Sequence, residues 1–389
     1  MIKNIKELAT SKERKDALDI VEEGLRACDP KIIVKNNVSL KGKELTIQGK
    51  SYDIQNYKDI YLIGFGKMAV SIADELRKII SFKKGIVIDT EYRNLGKKID
   101  VYLGSHPLPS KKNVIVTKKI VDLVGNLSEK DLVICIISGG GSSLLCLPTL
   151  NFDEYMKKLK KVIFSGINIV KLNRFRKKYS QVKGGRLGHI ISPTKYINLY
   201  FSDVMGDKLD VIASGPTYNK RADNFLLLNN KSGLDAMKKK AKELGYHVKI
   251  TSDKFKGYSK NFGRVLIEKL GSRKNICLIA GCETTVKIKE DHFESGKGGR
   301  NQEICLGALD HIEDFTLASI DSDGVDGITD AAGAIIDKET FYISSSHKLY
   351  PDTYLAKNNS FGFFKKTNSL IYTGKTGINV MDFVVLLRR

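Results

Sequence analysis

Seven short apolar stretches of the chain each lead directly into a loop rich in Gly, Ser, Thr and Asp. The stretches are residues 60–63, 99–103, 132–137, 197–201, 276–280, 316–320 and 370–372. Apolar strands that alternate with helical stretches are typical of a parallel sheet covered on both faces. Ligands of such sheets bind at the carboxyl ends of the strands, so the loops together predict one site region. The pattern indicates an α/β protein.

The length of the chain predicts two domains. A chain of 389 residues is long enough for two domains of ordinary size. A lysine-rich helical stretch at 234–244 follows a loop-like segment at 218–230, which divides the chain into domains 1–220 and 221–389. We expect the active site in the cleft between these domains, a common location in enzymes that close on a small substrate.

Targeting signals and structural cysteine patterns are both missing from the sequence. Residues 1–30 show helical periodicity without the apolar core of a signal peptide. The longest uncharged run, 132–151, contains three consecutive glycines among serines and is too polar for a membrane span. The six cysteines have no CxxC spacing, so we expect buried thiols and no disulfide or zinc site. These features predict a cytoplasmic protein that does not bind membranes.

The formal net charge of +21 raises the hypothesis of a nucleic-acid-binding protein. The lysines are scattered in pairs along the whole chain, and no aromatic RNA-binding strand or helix-turn-helix pattern accompanies them. A solvated lysine-rich surface explains the composition better, so we expect no nucleic-acid partner. The positive field should nevertheless attract anionic ligands.

The first glycine loop, Gly64-Phe65-Gly66-Lys67-Met68-Ala69, lies between a predicted strand and a predicted helix over 69–80. It matches the dinucleotide-binding fingerprint weakly, and Asp89 ends the next strand where a ribose-binding acid would lie. Hydride chemistry is therefore an open alternative. Lys67 argues against it, because a cation at a helix N-terminus is disfavoured by the helix dipole unless a ligand lies there. We expect Lys67 to bind substrate or to act in catalysis.

A second glycine loop follows the stretch 132–137 and is suited to bind phosphate. Its glycines let backbone N–H groups converge on an anion, and its serines add hydroxyl donors. The alternative is a tight strand-to-helix turn that needs glycine only for its geometry. The residues expected to contact nucleotide phosphates are Ser138, Gly139, Gly140, Gly141 and Ser142.

Two further segments combine glycines with cations. They are Lys183-Gly184-Gly185-Arg186 and the segment 296–303, in which Arg300 opens a helical stretch at 303–310. Glycine permits close approach of a ligand, and arginine binds a carboxylate or phosphate in bidentate fashion. We expect Lys183, Arg186 and Arg300 to bind substrate.

Aspartates cluster in two loops after strands, which suggests a magnesium site. Asp203 and Asp207 follow the stretch 197–201, while Asp323 and Asp326 follow 316–320. Mg²⁺ is normally held by one or two carboxylates together with substrate phosphates. Structural turns in which the aspartates bond to their own backbone are the alternative for both loops.

Taken in order, these loops resemble the glycerate 2-kinase family over residues 60–389. The most distinctive matches are Ser214-Gly215-Pro216-Thr217 and Asp330-Ala331-Ala332-Gly333-Ala334. The resemblance implies a Rossmann-like three-layer N-terminal domain and a smaller three-layer α/β C-terminal domain with a mixed sheet. It also implies an enzyme of carbohydrate metabolism that phosphorylates D-glycerate at its 2-hydroxyl, using ATP as phosphoryl donor and Mg²⁺ as cofactor.

Within this resemblance, Lys67 and Arg300 fall on the residues most readily assigned to catalysis. A few positions depart from the family pattern, among them Met205 and Lys208 in the loop of Asp203, which leaves the metal ligands least certain. An NAD(P)H-dependent hydroxypyruvate reductase is the alternative activity, because related sequences sometimes carry that name. The oligomeric state is left open, and a homodimer is one of the assemblies allowed.

Overall fold

The computed structural model describes residues 1–165, 169–251, 257–271, 273–288 and 296–389, and the chain divides into two compact units. Pro30–Asn229 forms one, here called the parallel-sheet unit. Met1–Asp29 and Asn230–Arg389 together form the other, the mixed-sheet unit. Residues 1–29, with helices α1 (Ile5–Leu8) and α2 (Lys12–Ala27), thus belong with the second half of the chain. The structure differs here from the division into 1–220 and 221–389, while a shared cleft stays a prediction.

The parallel-sheet unit contains a small antiparallel sheet of three strands and a second sheet of six parallel strands in the order β6-β5-β4-β7-β8-β9. All residues of the central strand β7 are buried, as a strand covered on both faces requires. The strands are β1 (Val38–Lys41), β2 (Glu44–Ile47), β3 (Lys50–Asp53), β4 (Ile60–Phe65), β5 (Lys84–Asp89), β6 (Ile99–Leu103), β7 (Leu132–Ser138), β8 (Lys195–Phe201) and β9 (Asp223–Leu228).

Helices connect these strands and carry most of the loops of interest. The connection between β7 and β8 is the longest and contains four helices. The helices of the unit are α3 (Pro30–Asn37), α4 (Ala69–Leu76), α5 (Lys111–Gly125), α6 (Gly141–Leu144), α7 (Phe152–Phe164), α8 (Ile169–Lys178) and α9 (Arg186–Ile191).

The mixed-sheet unit has six strands in the order β10-β11-β15-β12-β13-β14. Only β10 and β11 pair in parallel, yet β11, β12 and β14 run in the same direction because an antiparallel strand separates each from the next. Their following loops therefore lie at one edge. The strands are β10 (His247–Thr251), β11 (Ile276–Cys282), β12 (Thr316–Asp321), β13 (Gly333–Ile336), β14 (Leu370–Ile371) and β15 (Asp382–Arg388).

Six further helices complete the described part of this unit, and α2 packs against one of them and against the strands β12 and β15. Ser11 caps α2 by accepting a hydrogen bond from the backbone of Arg14, and the apolar stripe of α2 is buried against α10 and β15. The helices are α10 (Asn230–Glu243), α11 (Ser259–Leu270), α12 (Arg300–Leu306), α13 (Lys338–Ser346), α14 (Pro351–Ala356) and α15 (Ser360–Lys366).

The predicted α/β class, with one parallel and one mixed sheet, is confirmed. Three boundaries differ: the strand at 60–63 continues to Phe65, since Gly64 and Phe65 still pair with β5, the helix at 69–80 ends at Leu76, and α12 covers Arg300–Leu306 instead of 303–310. All six cysteines are free and buried, as expected. In the part of the chain described, no helix is long and apolar enough to cross a membrane.

Candidate functional site

The order of the parallel strands creates a crevice between two loops. The chain passes from β4 to β5 on one side, whereas β7 pairs with the other side of β4. At such a reversal the loops after the two central strands diverge and leave room for a ligand. Lys67 follows β4 and Ser138–Ser142 end and follow β7, so the topology brings these two predicted segments together.

The loop of Lys67 is bonded closely to the loop after β7. The backbone N–H of Lys67 donates to the carbonyl oxygen of Gly139 at 2.8 Å, and that of Met68 donates to Ser138 Oγ at 3.1 Å. Gly66 has a φ of +127°, and a Cβ there would lie 2.1 Å from Ser138 Oγ. The loop therefore needs glycine for this contact, and the contact fixes the backbone from which the Lys67 side chain projects.

The same contacts remove the groups that a dinucleotide would use. The Val70 N–H donates to Asp89 Oδ2 at 2.9 Å, so Lys67, Met68 and Val70 all have protein acceptors where a pyrophosphate would bind. Asp89 is buried and also accepts the amides of Thr90 and Glu91, and burial raises its pKa to about 6. The carboxylate of Asp89 thus stabilises the first turn of α4. This structural role disfavours the hydride-transfer alternative.

Lys67, His106 and the glycine loop converge in this crevice. Gly140 adopts the left-handed region with a φ of +79°, and a Cβ on it would lie 3.1 Å from Lys67 Cγ and 3.4 Å from the His106 ring. The helix α6 starts at Gly141, and the first amides of a helix have no acceptor within it. Ser142 Oγ lies 2.9 Å from Ser214 Oγ. Lys67 and His106 therefore both lie next to Gly140 of the glycine loop.

The two cations of the Lys183–Arg186 segment have different positions. Lys183 is only 1% exposed, and its Nζ donates to the carbonyl oxygen of Leu145 at 2.7 Å. Burial lowers the pKa of Lys183 to about 7. Arg186 starts α9 and donates through Nη1 to the carbonyl oxygens of Lys177 and Lys183, at 2.8 and 3.0 Å. The ammonium of Lys183 thus faces the protein interior.

The four predicted metal ligands come from both units. In the parallel-sheet unit, Asp203 and Asp207 are half-buried in the loop after β8, and Asp207 accepts a hydrogen bond from Asn229 at 2.6 Å. In the mixed-sheet unit, Asp323 accepts the Val325 amide at 2.9 Å, and Asp326 is fully buried. No three His, Cys, Asp or Glu side chains lie close enough to share a metal ion within the described ranges.

Asp326 stabilises the start of α12. Its two oxygens accept the backbone amides of Asn301 at 3.0 Å and Gln302 at 2.9 Å, two of the helix donors that lack an intrahelical acceptor. A Cβ on Gly299 would lie 2.3 Å from the Asp326 carboxyl carbon. Glycine is therefore needed in this segment for close packing, and Asp326 acts as the helix cap.

Arg300 lies among three carboxylates of the mixed-sheet unit. Its Nε donates to Asp382 at 2.9 Å, Nη1 to Glu283 at 3.2 Å and Nη2 to Asp321 at 2.9 Å. Within the described residues, these contacts use one hydrogen of Nη1 and one of Nη2. In that part of the chain, the second hydrogen of each nitrogen is left for a ligand. Asp321 and Asp382 are directly opposite each other in the register of β12 and β15, so Arg300 separates two like charges.

The sequence predicted Arg300 but not its three acidic partners. Asp382 is 82 residues away along the chain and reaches Arg300 only through the antiparallel register of β15. An acid at the start of a wholly apolar strand, as in Asp382-Phe383-Val384-Val385, was the one local signal available.

The charges of this cluster influence one another strongly. Burial lowers the pKa of Arg300, but its three carboxylates outweigh burial and raise that pKa well above the usual value. Burial raises the pKa of Asp382 to about 7, although Arg300 and Asn301 oppose the shift. Burial and the neighbouring Asp382 likewise raise the pKa of Asp321.

A cavity of about 410 Å³ in this unit is lined by Arg300 and Asp321, together with Thr284, Gly298, Gly299, Val286 and Ile328.

Comparisons with known proteins match nearly the whole chain. Residues 16–244 match a domain family of unknown function, DUF4147, and residues 276–382 match the MOFRL family. The chain is 32% identical to the D-glycerate 2-kinase of Thermotoga maritima and 30% identical to the glycerate 2-kinase of Pyrococcus horikoshii, in both cases over 96% of this chain and 97% of the relative.

A solved structure and one further relative bear on the activity. The crystal structure of glycerate kinase from Thermotoga maritima aligns with a TM-score of 0.84 and 30% identity, over 96% of this chain and 99% of that one. A protein of Agrobacterium vitis whose name proposes a hydroxypyruvate reductase is 31% identical over 84% of this chain and 98% of its own.

Proposed function

Because the chain belongs to the glycerate 2-kinase family, we propose that it transfers the γ-phosphoryl group of ATP to the 2-hydroxyl of D-glycerate. The products are 2-phosphoglycerate and ADP. The name of a hydroxypyruvate reductase belongs to one of the relatives described, and the bonded amides around Asp89 disfavour that chemistry here.

The observation that carries this proposal is the convergence of Lys67, His106 and the glycine loop at the strand reversal. Phosphoryl transfer requires in-line positioning and neutralisation of phosphate charge more than covalent chemistry. A rigid backbone under a lysine, beside a loop of backbone donors, supplies both. We assign the nucleotide phosphates to Ser138–Ser142 and the transferring phosphoryl group to Lys67.

Arg300 is assigned to the carboxylate of glycerate, and the substrate contact of Arg186 stays a sequence prediction. Arg300 is held in orientation by Asp321, Asp382 and Glu283, and its remaining N–H groups line the cavity beside α12. A guanidinium fixed in this way binds a planar carboxylate at little entropic cost. Asp321, which lines this cavity and whose pKa is raised by burial, is the group best suited to accept the hydroxyl proton.

We propose that Mg²⁺ binds at the loop after β8. Asp203 and Asp207 offer half-buried oxygen donors on one turn, which suits an ion that uses one or two carboxylates together with phosphate oxygens. Asp326 suits it poorly, because both of its oxygens accept helix amides. When bound, Mg²⁺ would screen the phosphate charge, while Lys67 and the glycine loop orient the phosphates.

Product analysis tests the proposed reaction. The protein is incubated with D-glycerate, ATP and Mg²⁺, and the products are resolved by phosphorus NMR into 2- and 3-phosphoglycerate. We expect 2-phosphoglycerate and ADP in equal amounts. Formation of 3-phosphoglycerate would overturn the regiochemistry. In a parallel assay, oxidation of NADH or NADPH by hydroxypyruvate, followed by nicotinamide absorbance, would support the reductase instead.

A further inference from the structure

Two buried cations of the parallel-sheet unit lie next to the segment that follows the glycine loop. Lys183 is 1% exposed and Arg176 is 9% exposed. The groups that face Lys183 are the Cys146 thiol and Arg176, and those that face Arg176 are Tyr155 and Cys146. Across the described residues, neither cation forms an ion pair with a carboxylate. Buried cations are normally paired, so this arrangement needs an explanation.

Both cations contact the segment that directly follows the glycine loop. Lys183 Nζ donates to the carbonyl oxygen of Leu145 at 2.7 Å. Arg176 Nη2 lies 3.4 Å from Ser143 Oγ, which in turn donates to the carbonyl oxygen of Pro107 at 2.6 Å. The cations are therefore joined by single hydrogen bonds to residues 143 and 145, which directly follow the glycine loop.

Neutral side chains hold the same segment without charge. Asn113 Nδ2 donates to the carbonyl oxygens of Ser143 and Leu144, at 3.0 and 3.3 Å, and Thr117 Oγ1 accepts the amide of Cys146 at 2.9 Å. Holding the backbone thus does not by itself require ammonium or guanidinium groups. The positive charge of the two cations would, however, stabilise an anion bound by the loop.

We propose that Lys183 and Arg176 are positioning residues that hold the segment directly after the glycine loop and stabilise, through its backbone, a phosphate bound by that loop. Neither contacts the substrate. This inference rests on the proposed function, because it takes the loop as the binding site for nucleotide phosphate. It replaces the substrate contact expected for Lys183 with an effect through the field of a buried charge.

The titration of Lys183 gives this effect a pH dependence. Burial lowers the pKa of Lys183 to about 7, with Arg176 lowering it further and Cys146 opposing the shift. A bound phosphate would raise this pKa again, so binding of ADP above pH 7 should take up a proton. As pH rises from 6 to 9 the free protein loses the charge, and its affinity for ADP should fall.

The experiment compares ADP binding by Lys183→Met, Lys183→Arg and wild type, using calorimetry from pH 6.5 to 9. Lys178→Met is the matched control, because Lys178 is an exposed lysine of α8. We expect Lys183→Met to weaken ADP binding roughly ten-fold at pH 6.5 and little at pH 9, since a factor of about ten corresponds to an interaction worth one pKa unit. Lys183→Arg should keep most of the affinity at both pH values.

Kinetics separate this role from a merely structural one. Lys183→Met should raise the KM for ATP by the same factor as the ADP dissociation constant, with the KM for glycerate changed by less than about two-fold. An equal loss of ADP affinity at every pH would overturn the inference. If Lys183→Met does not fold, calorimetry of the wild type at pH 8 in buffers of different ionisation enthalpy decides, and an absence of proton uptake on ADP binding overturns it.

The two proposals fail in distinguishable ways. Normal phosphorylation of glycerate with ADP binding independent of Lys183 would overturn the inference and leave the function intact. Binding of ADP that depends on Lys183, without transfer to glycerate, would overturn the function and leave the phosphate site.

Discussion

The cations of the two candidate sites have opposite charge environments. In the parallel-sheet unit, Lys183 and Arg176 have no carboxylate partner among the described residues. In the mixed-sheet unit, Arg300 has three: Glu283, Asp321 and Asp382. One site therefore has an excess of positive charge and the other an excess of negative charge. An anion would stabilise the first, whereas protonation of Asp321 or Asp382 would reduce the negative charge around Arg300 in the second.

The direction of the pKa shifts agrees with this difference. The pKa of Lys183 falls to about 7, which reduces positive charge where it is in excess. The pKa of Asp382 rises to about 7, which reduces negative charge where that is in excess. Both shifts arise mainly from burial, and they place two titrating groups of opposite type near neutral pH.

The largest expected effect comes from removing the cation of the acidic cluster. Arg300→Met leaves Asp321 and Asp382 buried without a counter-charge, which should lower the free energy of unfolding by about 3–5 kcal/mol. Urea denaturation at pH 7.5 measures it. Turnover of glycerate should fall about 1,000-fold, because we assign Arg300 to the carboxylate of the substrate.

A second substitution tests whether charge is the cause. Adding Asp382→Asn to Arg300→Met removes one uncompensated charge, so the double variant should be more stable than the single one. Lowering the pH from 7.5 to 5.5 should also stabilise the single variant, since the folded form then binds more protons than the unfolded chain. If Arg300→Met is as stable as wild type, the difference in charge environment between the two units is wrong.

The next effect concerns the cation in the crevice itself. Lys67→Met removes the charge that faces the phosphoryl group, so turnover should fall about 100- to 1,000-fold. The free energy of unfolding should change by less than about 1 kcal/mol, because Lys67 is only partly buried and is anchored by its backbone. Near-normal turnover with glycerate and ATP would contradict the assignment of Lys67.

A smaller effect should appear in the pH dependence of stability. The pKa of Lys183 is about 7 in the folded protein against 10.5 for an unperturbed lysine, so between these values the unfolded chain binds more protons. Stability of the wild type relative to Lys183→Met should therefore rise with pH, by about 2 kcal/mol between pH 7 and 9. Urea midpoints at three pH values measure it. A flat difference would mean that Lys183 stays charged throughout.

The smallest effect separates a helix cap from a metal ligand. Asp326→Ala removes the acceptor of two α12 amides and should lower the free energy of unfolding by about 1–2 kcal/mol. Asp330→Ala is the control, an exposed acid of the same loop that should change it by less than about 0.5 kcal/mol. Thermal denaturation compares them. Unchanged stability with a greater requirement for Mg²⁺ would instead favour a metal role for Asp326.

Local signals allowed one side of the site to be predicted from the sequence. A strand, a glycine and a helix start within ten residues of one another identify the loop of Lys67, and the glycine run identifies the loop after β7. Both loops follow neighbouring parallel strands, so a correct fold class was enough to bring them together.

Long-range contacts explain what the sequence did not show. The partnership of Arg300 with Asp382 depends on how β15 registers with β12, and no local pattern encodes that register. Lys183 occurs in a glycine-rich segment that suggests an exposed loop, yet tertiary packing buries it beneath β7 and its loop. Similarly, the apolar stripe of α2 was visible, but its packing against the last strand of the chain was not.

The placement of α2 with the last strand also constrains the order in which the chain can fold. Residues 30–229 are inserted between α2 and the rest of the mixed-sheet unit, so they can fold on the ribosome before that unit is complete. During this time α2 has neither α10 nor β15 to cover its apolar stripe. Its docking site forms only once residues 382–388 have emerged, so α2, one of the first helices made, is among the last to pack.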